Sequence, residues 1–217
     1  MDIRVLLADD HKIVREGLRA LIERQPDMRV VVEVGDGQVA IERARKVRPD
    51  VVIVDIGMPT LNGIEATRQI VKLCPNVSVI ALSMHRSIHF VTEMLQAGAR
   101  GYLLKDCAFE ELVGAIRVVL NNEMYLSPSV ASLVVRDYLR HEPGWDRGLY
   151  SLLTARERQV LQLLTEGKTT KEVASQLEVS VKTVETHRQS LMSKLNTKSI
   201  AELTKLAVRE GLTSLDT

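Results

Sequence analysis

Val51-Val52-Ile53-Val54-Asp55-Ile56-Gly57-Met58-Pro59 runs from four apolar, mostly β-branched residues into a carboxylate and then a proline. The apolar run reads as a buried strand of a parallel sheet. Asp55 stands where that strand runs out. Pro59 stops further pairing, and Asn62-Gly63 supplies a turn before the next helix. In open α/β sheets the functional crevice lies outside the carboxyl ends of the strands. An unpaired carboxylate is costly to bury, so an acid in that position points to a site or to a helix cap.

The same punctuation recurs on both sides. Ile3 to Ala8 reads as a strand with Asp9-Asp10 at its carboxyl end, and Ile13 to Arg24 as a helix with Val14, Leu18, Leu21 and Ile22 on one face. Val30 to Val34 is a second strand, followed by Gly35-Asp36-Gly37 and a helix ending near Val47. After the Asp55 strand come a helix over Gly63 to Leu73, a strand over Val77 to Leu82 ending at Ser83, and a helix from Ser87 to Gln96 closed at Gly98. Gly101 to Leu104 is a short strand ending at Lys105, and Glu110 to Leu120 is the next helix. Five βα units in about 120 residues give a parallel sheet covered on both faces. A flavodoxin-like (βα)5 order, 2-1-3-4-5, sets the first and third strands side by side. Asp9, Asp10 and Asp55 then meet at one edge, joined by Ser83 and Lys105.

Composition leaves room for a second domain. The chain has 217 residues, 45% hydrophobic and 26% charged, with a net charge of +1, and aromatics are so few (3%) that the cores must be aliphatic. No apolar run approaches the ~18 residues of a membrane span, and Met1-Asp2-Ile3-Arg4 lacks the features of a secretion signal. Cys74 and Cys107 lie far from one another and from any metal-ligand spacing, and read as packing thiols in a reducing cytoplasm. Residues 1–121 form the first domain and 122–149 a linker. Within the linker Ser127 caps a short helix, Ser129 to Leu139, with Pro128 at its first position. A Gly/Pro-punctuated loop, His141 to Gly148, follows, with Trp145 packed on a domain face.

From 150 to 217 the pattern is helical. Thr154 with Glu157, Thr169 with Glu172, and Ser199 with Glu202 form three capping boxes at helix-length intervals. Leu177 to Ser180 makes a tight turn into a helix that runs to Leu195, so the second and third helices form a helix-turn-helix. This segment holds 10 Lys+Arg against 8 Asp+Glu, whereas residues 1–121 hold 16 of each. Clustering of Lys182, Arg188, Lys194 and Lys198, rather than net charge, carries the nucleic-acid signal. On the third helix Val184, Leu191 and Leu195 face a core. Lys182, Glu185, Thr186, Gln189 and Ser193 share another face, chemically suited to a major groove. Apolar residues lie around more than one side of the last helix, from Ile200 to Arg209, leaving one side for a partner.

Three carboxylates at one point repel one another unless a cation joins them. Few hard oxygen donors with room for water suit Mg²⁺: Asp10, Asp55 and the carbonyl of Gly57, with Asp9 reaching through water. An aspartate can attack phosphorus, with the metal and Lys105 neutralising the transferring group and the Ser83 hydroxyl bonding a phosphoryl oxygen. Each residue alone has a plain structural reading as cap, surface charge or turn. Jointly, at the ends of four strands of one sheet, they do not. His11 reads as a helix-start residue near the rim.

Ala8-Asp9-Asp10-His11 with Val14-Arg15-Glu16-Gly17-Leu18, Asp55-Ile56-Gly57-Met58-Pro59, Ser83 and Tyr102-Leu103-Leu104-Lys105-Asp106 resemble the receiver domain of two-component response regulators. Leu153-Thr154-Ala155-Arg156-Glu157 and Val184-Glu185-Thr186-His187 are similar to LuxR-type DNA-binding domains. Together they resemble the NarL/FixJ subfamily along essentially the whole chain. The resemblance implies a phosphorylation-activated, cytoplasmic transcriptional regulator rather than an enzyme. Asp55 would be the phosphoacceptor, fed by a sensor histidine kinase, with Asp9 and Asp10 holding Mg²⁺ and Ser83, Tyr102 and Lys105 relaying the phosphorylated state. Promoter DNA would be met by Lys182, Thr183, Glu185, Thr186, His187, Arg188, Gln189 and Lys194, by a homodimer formed on activation and open to RNA polymerase. Two departures stand out: Ser83 replaces a common Thr, and Asp106 a common Pro, which leaves the geometry of the Lys105–Asp106 peptide open. Two other classes compete: an aspartyl-phosphate phosphotransferase, disfavoured by the lack of a cap insertion, and a receiver that binds its partner without phosphate.

Overall fold

The computed structural model describes residues 2–84, 86–106, 108–140, 152–197 and 199–209. The 141–148 loop with Trp145, together with Cys107 and Lys198, lies outside the described residues. The chain divides into two compact units, residues 1–143 and 144–217.

In the first unit, β1 (Ile3–Ala8), β2 (Met28–Val34), β3 (Val51–Asp55), β4 (Ser78–Ser83) and β5 (Gly101–Leu104) alternate with α1 (Lys12–Glu23), α2 (Gly37–Val47), α3 (Gly63–Leu73), α4 (Ile88–Gln96) and α5 (Ala108–Leu120). β3 and β4 are buried at every position, as a strand covered on both faces must be. Strand periodicity of two then sorts the side chains: Val5, Leu7, Ile53, Ile80, Leu82 and Leu103 share one core with Leu18 and Ile22 of α1 and Leu112, Ile116 and Val119 of α5. Helix starts follow local chemistry. The Asp36 carboxylate accepts the amides of Gln38 and Val39, and the Asn62 side chain accepts the amide of Glu65. Gly98 follows α4 at φ +102°, a left-handed closure open to a residue without Cβ.

The sheet has six strands, not five, in the order β2-β1-β3-β4-β5-β6, all pairs parallel. The sixth, β6 (Tyr125–Leu126), pairs with β5 so that Tyr102 stands opposite Leu126. It leads into α6 (Pro128–Arg140), which begins at its proline as expected. Ser127 does not cap it through the side chain. Its amide donates to the Tyr102 carbonyl at 3.1 Å, its carbonyl accepts from Ala131, and its Oγ is buried without a hydrogen-bond partner. Thus β6 and α6 belong to the first unit, with α6 packed against α4 and β5.

The second unit contains α7 (Ala155–Thr165), α8 (Thr170–Gln176), α9 (Val181–Lys194) and α10 (Ile200–Arg209). The capping boxes at Thr154 and Thr169 are both complete, and Ser199 Oγ accepts the Glu202 amide. Ser180 caps α9 by accepting the amide of Thr183. Val160, Leu163, Val173, Val184, Leu191, Leu203 and Ala207 are fully buried, so α9 packs on α7 and α8 while α10 closes over α7.

Candidate phosphoacceptor and DNA-reading sites

Parallel topology delivers the ends of β1, β3, β4 and β5 to one edge, and the expected residues arrive there. Asp9 and Asp55 are buried, and Lys105 Nζ lies 2.7 Å from Asp55 Oδ2 and 2.7 Å from Asp9 Oδ2. The Gly57 amide donates to Asp55 Oδ1 at 3.3 Å. Ligand atoms of Asp9, Asp10, His11 and Asp55 all fall within 4.8 Å of one another. Three carboxylates against one ammonium leave two negative charges, the charge and oxygen-rich donor set that a divalent cation fits.

His11 stands at the start of α1 but does not cap it with its side chain. Its Nδ1 is turned instead to Asp10 Oδ1, 2.6 Å away, and its amide donates to Asp9 Oδ1. The Arg15 guanidinium holds the Asp9 carbonyl. Burial pushes the Asp55 carboxyl up to about 6, with the Asp9 charge adding to it and Lys105 opposing it. At neutral pH the group is still mainly ionised, the form in which a carboxylate can act as a nucleophile.

Ser83 and Tyr102 are both buried and hydrogen-bonded to each other through their side chains. Burial pushes the Tyr102 phenol up to about 12, so it stays protonated and able to donate. The Lys105 amide donates to the Ser83 carbonyl at 2.9 Å, tying the two strand ends together. Among the described residues no peptide bond is cis, so the Lys105–Asp106 bond is trans, and the Asp106 carboxylate pairs with Arg86 at 2.6 Å.

In the second unit Lys182, Glu185, Thr186, Gln189 and Ser193 are exposed along α9, while Thr183, His187 and Arg188 are half-buried beside them. Lys194, expected among the DNA contacts, also has a partner within the domain. Its Nζ lies 2.7 Å from Glu157 Oε2, so its charge is matched inside the domain. Glu157 is the residue that sequence reasoning undervalued. It completes the Thr154 capping box and also accepts from Ser190 Oγ at 2.6 Å. The box was visible in the sequence, but the bridge to α9, over thirty residues away, was not. Burial alone would raise the Glu157 carboxyl, but the donors Lys194, Ser190 and Thr154 outweigh it and hold the group down at about 2.

That depression has a sign. A carboxyl lowered on folding contributes stability fully above its unfolded value, near 4.5, and loses it as pH falls toward 2. We expect α9 amides in the full chain to lose hydrogen-exchange protection over that window by about 2–3 kcal/mol. The Glu157→Gln variant should be weaker at pH 7 and lose less protection through the window, the remainder reflecting Glu172, which its Thr169 donors also hold low. An unchanged acid profile in the variant would refute the bridge.

Comparison with known proteins agrees with this geometry. Residues 5–117 match the response regulator receiver domain, and residues 151–207 match the bacterial regulatory proteins of the luxR family. Response regulator UvrY of Escherichia coli (strain K12) is 37% identical over 215 residues, spanning 99% of this chain and 98% of its own length. The oxygen regulatory protein NreC of Staphylococcus carnosus is 35% identical over 215 residues, spanning 97% of this chain and 99% of its own. Among solved structures, RcsB of Salmonella enterica serovar Typhimurium, bound to a promoter in the presence of the phosphomimetic BeF3−, aligns with a TM-score of 0.64 at 29% identity. That match covers 96% of this chain and all of the other.

Sheet order, acidic edge and helix-turn-helix together define a signal receiver whose output is binding to DNA. A receiver of this kind takes its state from a sensor and passes it to promoters. The chain belongs to the response regulators of the NarL/FixJ type, DNA-binding transcriptional regulators of two-component systems.

Proposed function

We propose that Asp55 is the phosphoacceptor of this regulator and that residues of α9 read its promoter. The observation that carries the first part is the shared lysine: one ammonium within 2.7 Å of both buried carboxylates. An Asp55 carboxylate oxygen attacks the phosphorus of a phosphohistidine on the sensor kinase. The new P–O bond forms as the P–N bond breaks, and the departing imidazole takes up a proton. Lys105 compensates charge on the phosphoryl oxygens, and the Ser83 hydroxyl donates to one of them, loosening its bond with Tyr102. Asp10, Asp55 and the Gly57 carbonyl, with Asp9 through water, would hold Mg²⁺, which when bound supplies further neutralisation of the transferring group. One phosphoryl group per chain sets a state, and no small molecule is turned over. The active state is a homodimer on DNA in the cytoplasm, accessible to RNA polymerase. With Mg²⁺ and a small phosphodonor, the wild type takes up phosphate and Asp55→Asn takes up none. Incorporation by the variant at the wild-type level would sink the assignment.

The DNA-reading role divides by charge. Among the described residues the Lys182 ammonium and the Arg188 guanidinium have no protein partner, which suits phosphate contact. Lys182→Ala should weaken binding to all DNA alike and reduce the salt slope by about one unit. Gln189, exposed on the same face as Thr186, carries no charge. Gln189→Ala should leave the slope alone yet cost ~1–3 kcal/mol on the preferred site only. Thr183, Glu185 and His187 line the same helix. Two copies would bind half-sites about one helical turn apart. Equal losses for Gln189→Ala on specific and scrambled DNA would show that this face does not read bases.

A further inference from the structure

At the opposite end of the sheet from Asp55, a cavity of about 380 Å³ opens where α2 and α3 end and β3 and β4 begin. β3 is five residues long, so the cavity lies roughly 16 Å from the acidic edge. Its lining is mixed: Pro49, Leu73, Pro75 and Val77 supply apolar surface beside the buried free thiol of Cys74. Arg45, Arg48 and Asn76 line it with them. Among the described residues neither guanidinium has a protein hydrogen bond or ion pair, and the Asn76 side chain has none. The carboxylate that does line the cavity, Asp50, is already engaged by the Arg4 amide at 2.7 Å.

Arg48 is also held in an uncommon conformation. It closes α2 at φ 47°, in the left-handed region where glycine or asparagine sits without a Cβ penalty. Its amide donates to the Ala44 carbonyl at 2.8 Å and its carbonyl accepts from the Arg4 guanidinium at 3.0 Å. The backbone is thus pinned from both sides, in a geometry that holds a long cationic side chain beside the cavity. Two forked guanidinium groups outweigh the single Asp50 carboxylate, and with the Asn76 amide beside the apolar surface they match a flat organic anion, its charged head at the rim and its body against the prolines and leucine. The volume falls within the range of small-molecule sites.

We propose that this cavity is a binding site for a small amphiphilic organic anion, an aryl or alkyl carboxylate. It is separate from the phosphoacceptor edge. Both parts of the ligand matter: the carboxylate meets Arg45 and Arg48, and the apolar body meets Leu73, Pro49 and Pro75.

The test uses the full chain with 1-naphthoate, its neutral isostere 1-naphthamide, and inorganic phosphate, followed by amide chemical-shift titration. Naphthoate should bind saturably and one to one, with its largest shifts at Asn76, Val77 and Asp50. Naphthamide should bind about tenfold more weakly, as should naphthoate to the Arg45→Gln/Arg48→Asn double variant. Asparagine keeps the left-handed backbone at position 48, so the variant folds as the wild type does. Equal binding of acid and amide, shifts centred elsewhere, no binding of naphthoate, or phosphate competing as strongly as naphthoate would each overturn the proposal.

Discussion

Gly63→Ala should lower the stability of the receiver unit by about 3 kcal/mol or more, a loss of roughly 10 °C in its unfolding temperature. Sequence reading gives Gly63 to a turn, but its requirement is space rather than unusual dihedral angles. A Cβ built there would lie 2.0 Å from the Asp55 carbonyl oxygen, 2.8 Å from its carbonyl carbon and 3.0 Å from the Ile56 Cα. All three are backbone atoms of the strand end that presents Asp55, the proposed phosphoacceptor. None can rotate away, so α3 must withdraw and drag residues 56–62 with it. The Gly63 amide, which donates to the Ile56 carbonyl at 3.0 Å, is then strained or lost. Phosphate uptake should fall in parallel. Gly114→Ala is the opposite case: it lies inside α5 with nothing within 4 Å of the added carbon, and should gain roughly 0.5–1 kcal/mol. Thermal or urea unfolding of both variants checks the pair. A Gly63→Ala midpoint within about 2 °C of wild type would refute the contact.

Lys105→Met should slow phosphorylation by about 10²- to 10³-fold, the scale of losing one preorganised charge from a transition state. Lys105 is nearly buried, at 8% exposure, between Asp9 and Asp55. Without it the two carboxylates face each other unneutralised, and breaking a buried pair of this kind costs about 3–5 kcal/mol. The pH dependence separates this from a general loss of fold. Asp55 stands at about 6, raised by burial and by the Asp9 charge and pulled down by Lys105. Removing the lysine moves that titration upward, so more of the acceptor is protonated at neutral pH. Between pH 6 and 9 the variant should regain part of its rate as pH rises, while the wild type changes little above pH 7. Identical profile shapes would show that Lys105 does not set the state of Asp55.

How much of this was legible in the sequence depends on the range of the interactions involved. β3, β4 and β5 were readable because a buried parallel strand carries a continuous apolar run, and Asp55, Ser83 and Lys105 because each closes such a run. The sixth strand was not. Tyr125-Leu126 is too short to show any period, and its pairing with Gly101 and Tyr102 is a tertiary fact. Ser127 carried a cap signature, yet the neighbouring strand took its amide and buried its hydroxyl. On α9 the heptad-like spacing of Val184 and Leu191 settled which side was core. That Lys194 would turn back to Glu157 could not be foreseen, because exposure and charge look alike in sequence whether or not a distant carboxylate is waiting.

β6 also has a bearing on solubility. Without it the sheet would end at β5, Gly101-Tyr102-Leu103-Leu104, an apolar strand paired to β4 on one side and open on the other. Such an edge is a template for another chain's strand. β6 covers it for two residues, and Pro128, which has no amide hydrogen, ends the ladder before a longer edge can form. A receiver cut after residue 121 would therefore keep Asp9, Asp10, Asp55, Ser83, Tyr102 and Lys105 and still bare its sheet edge to pairing with another chain.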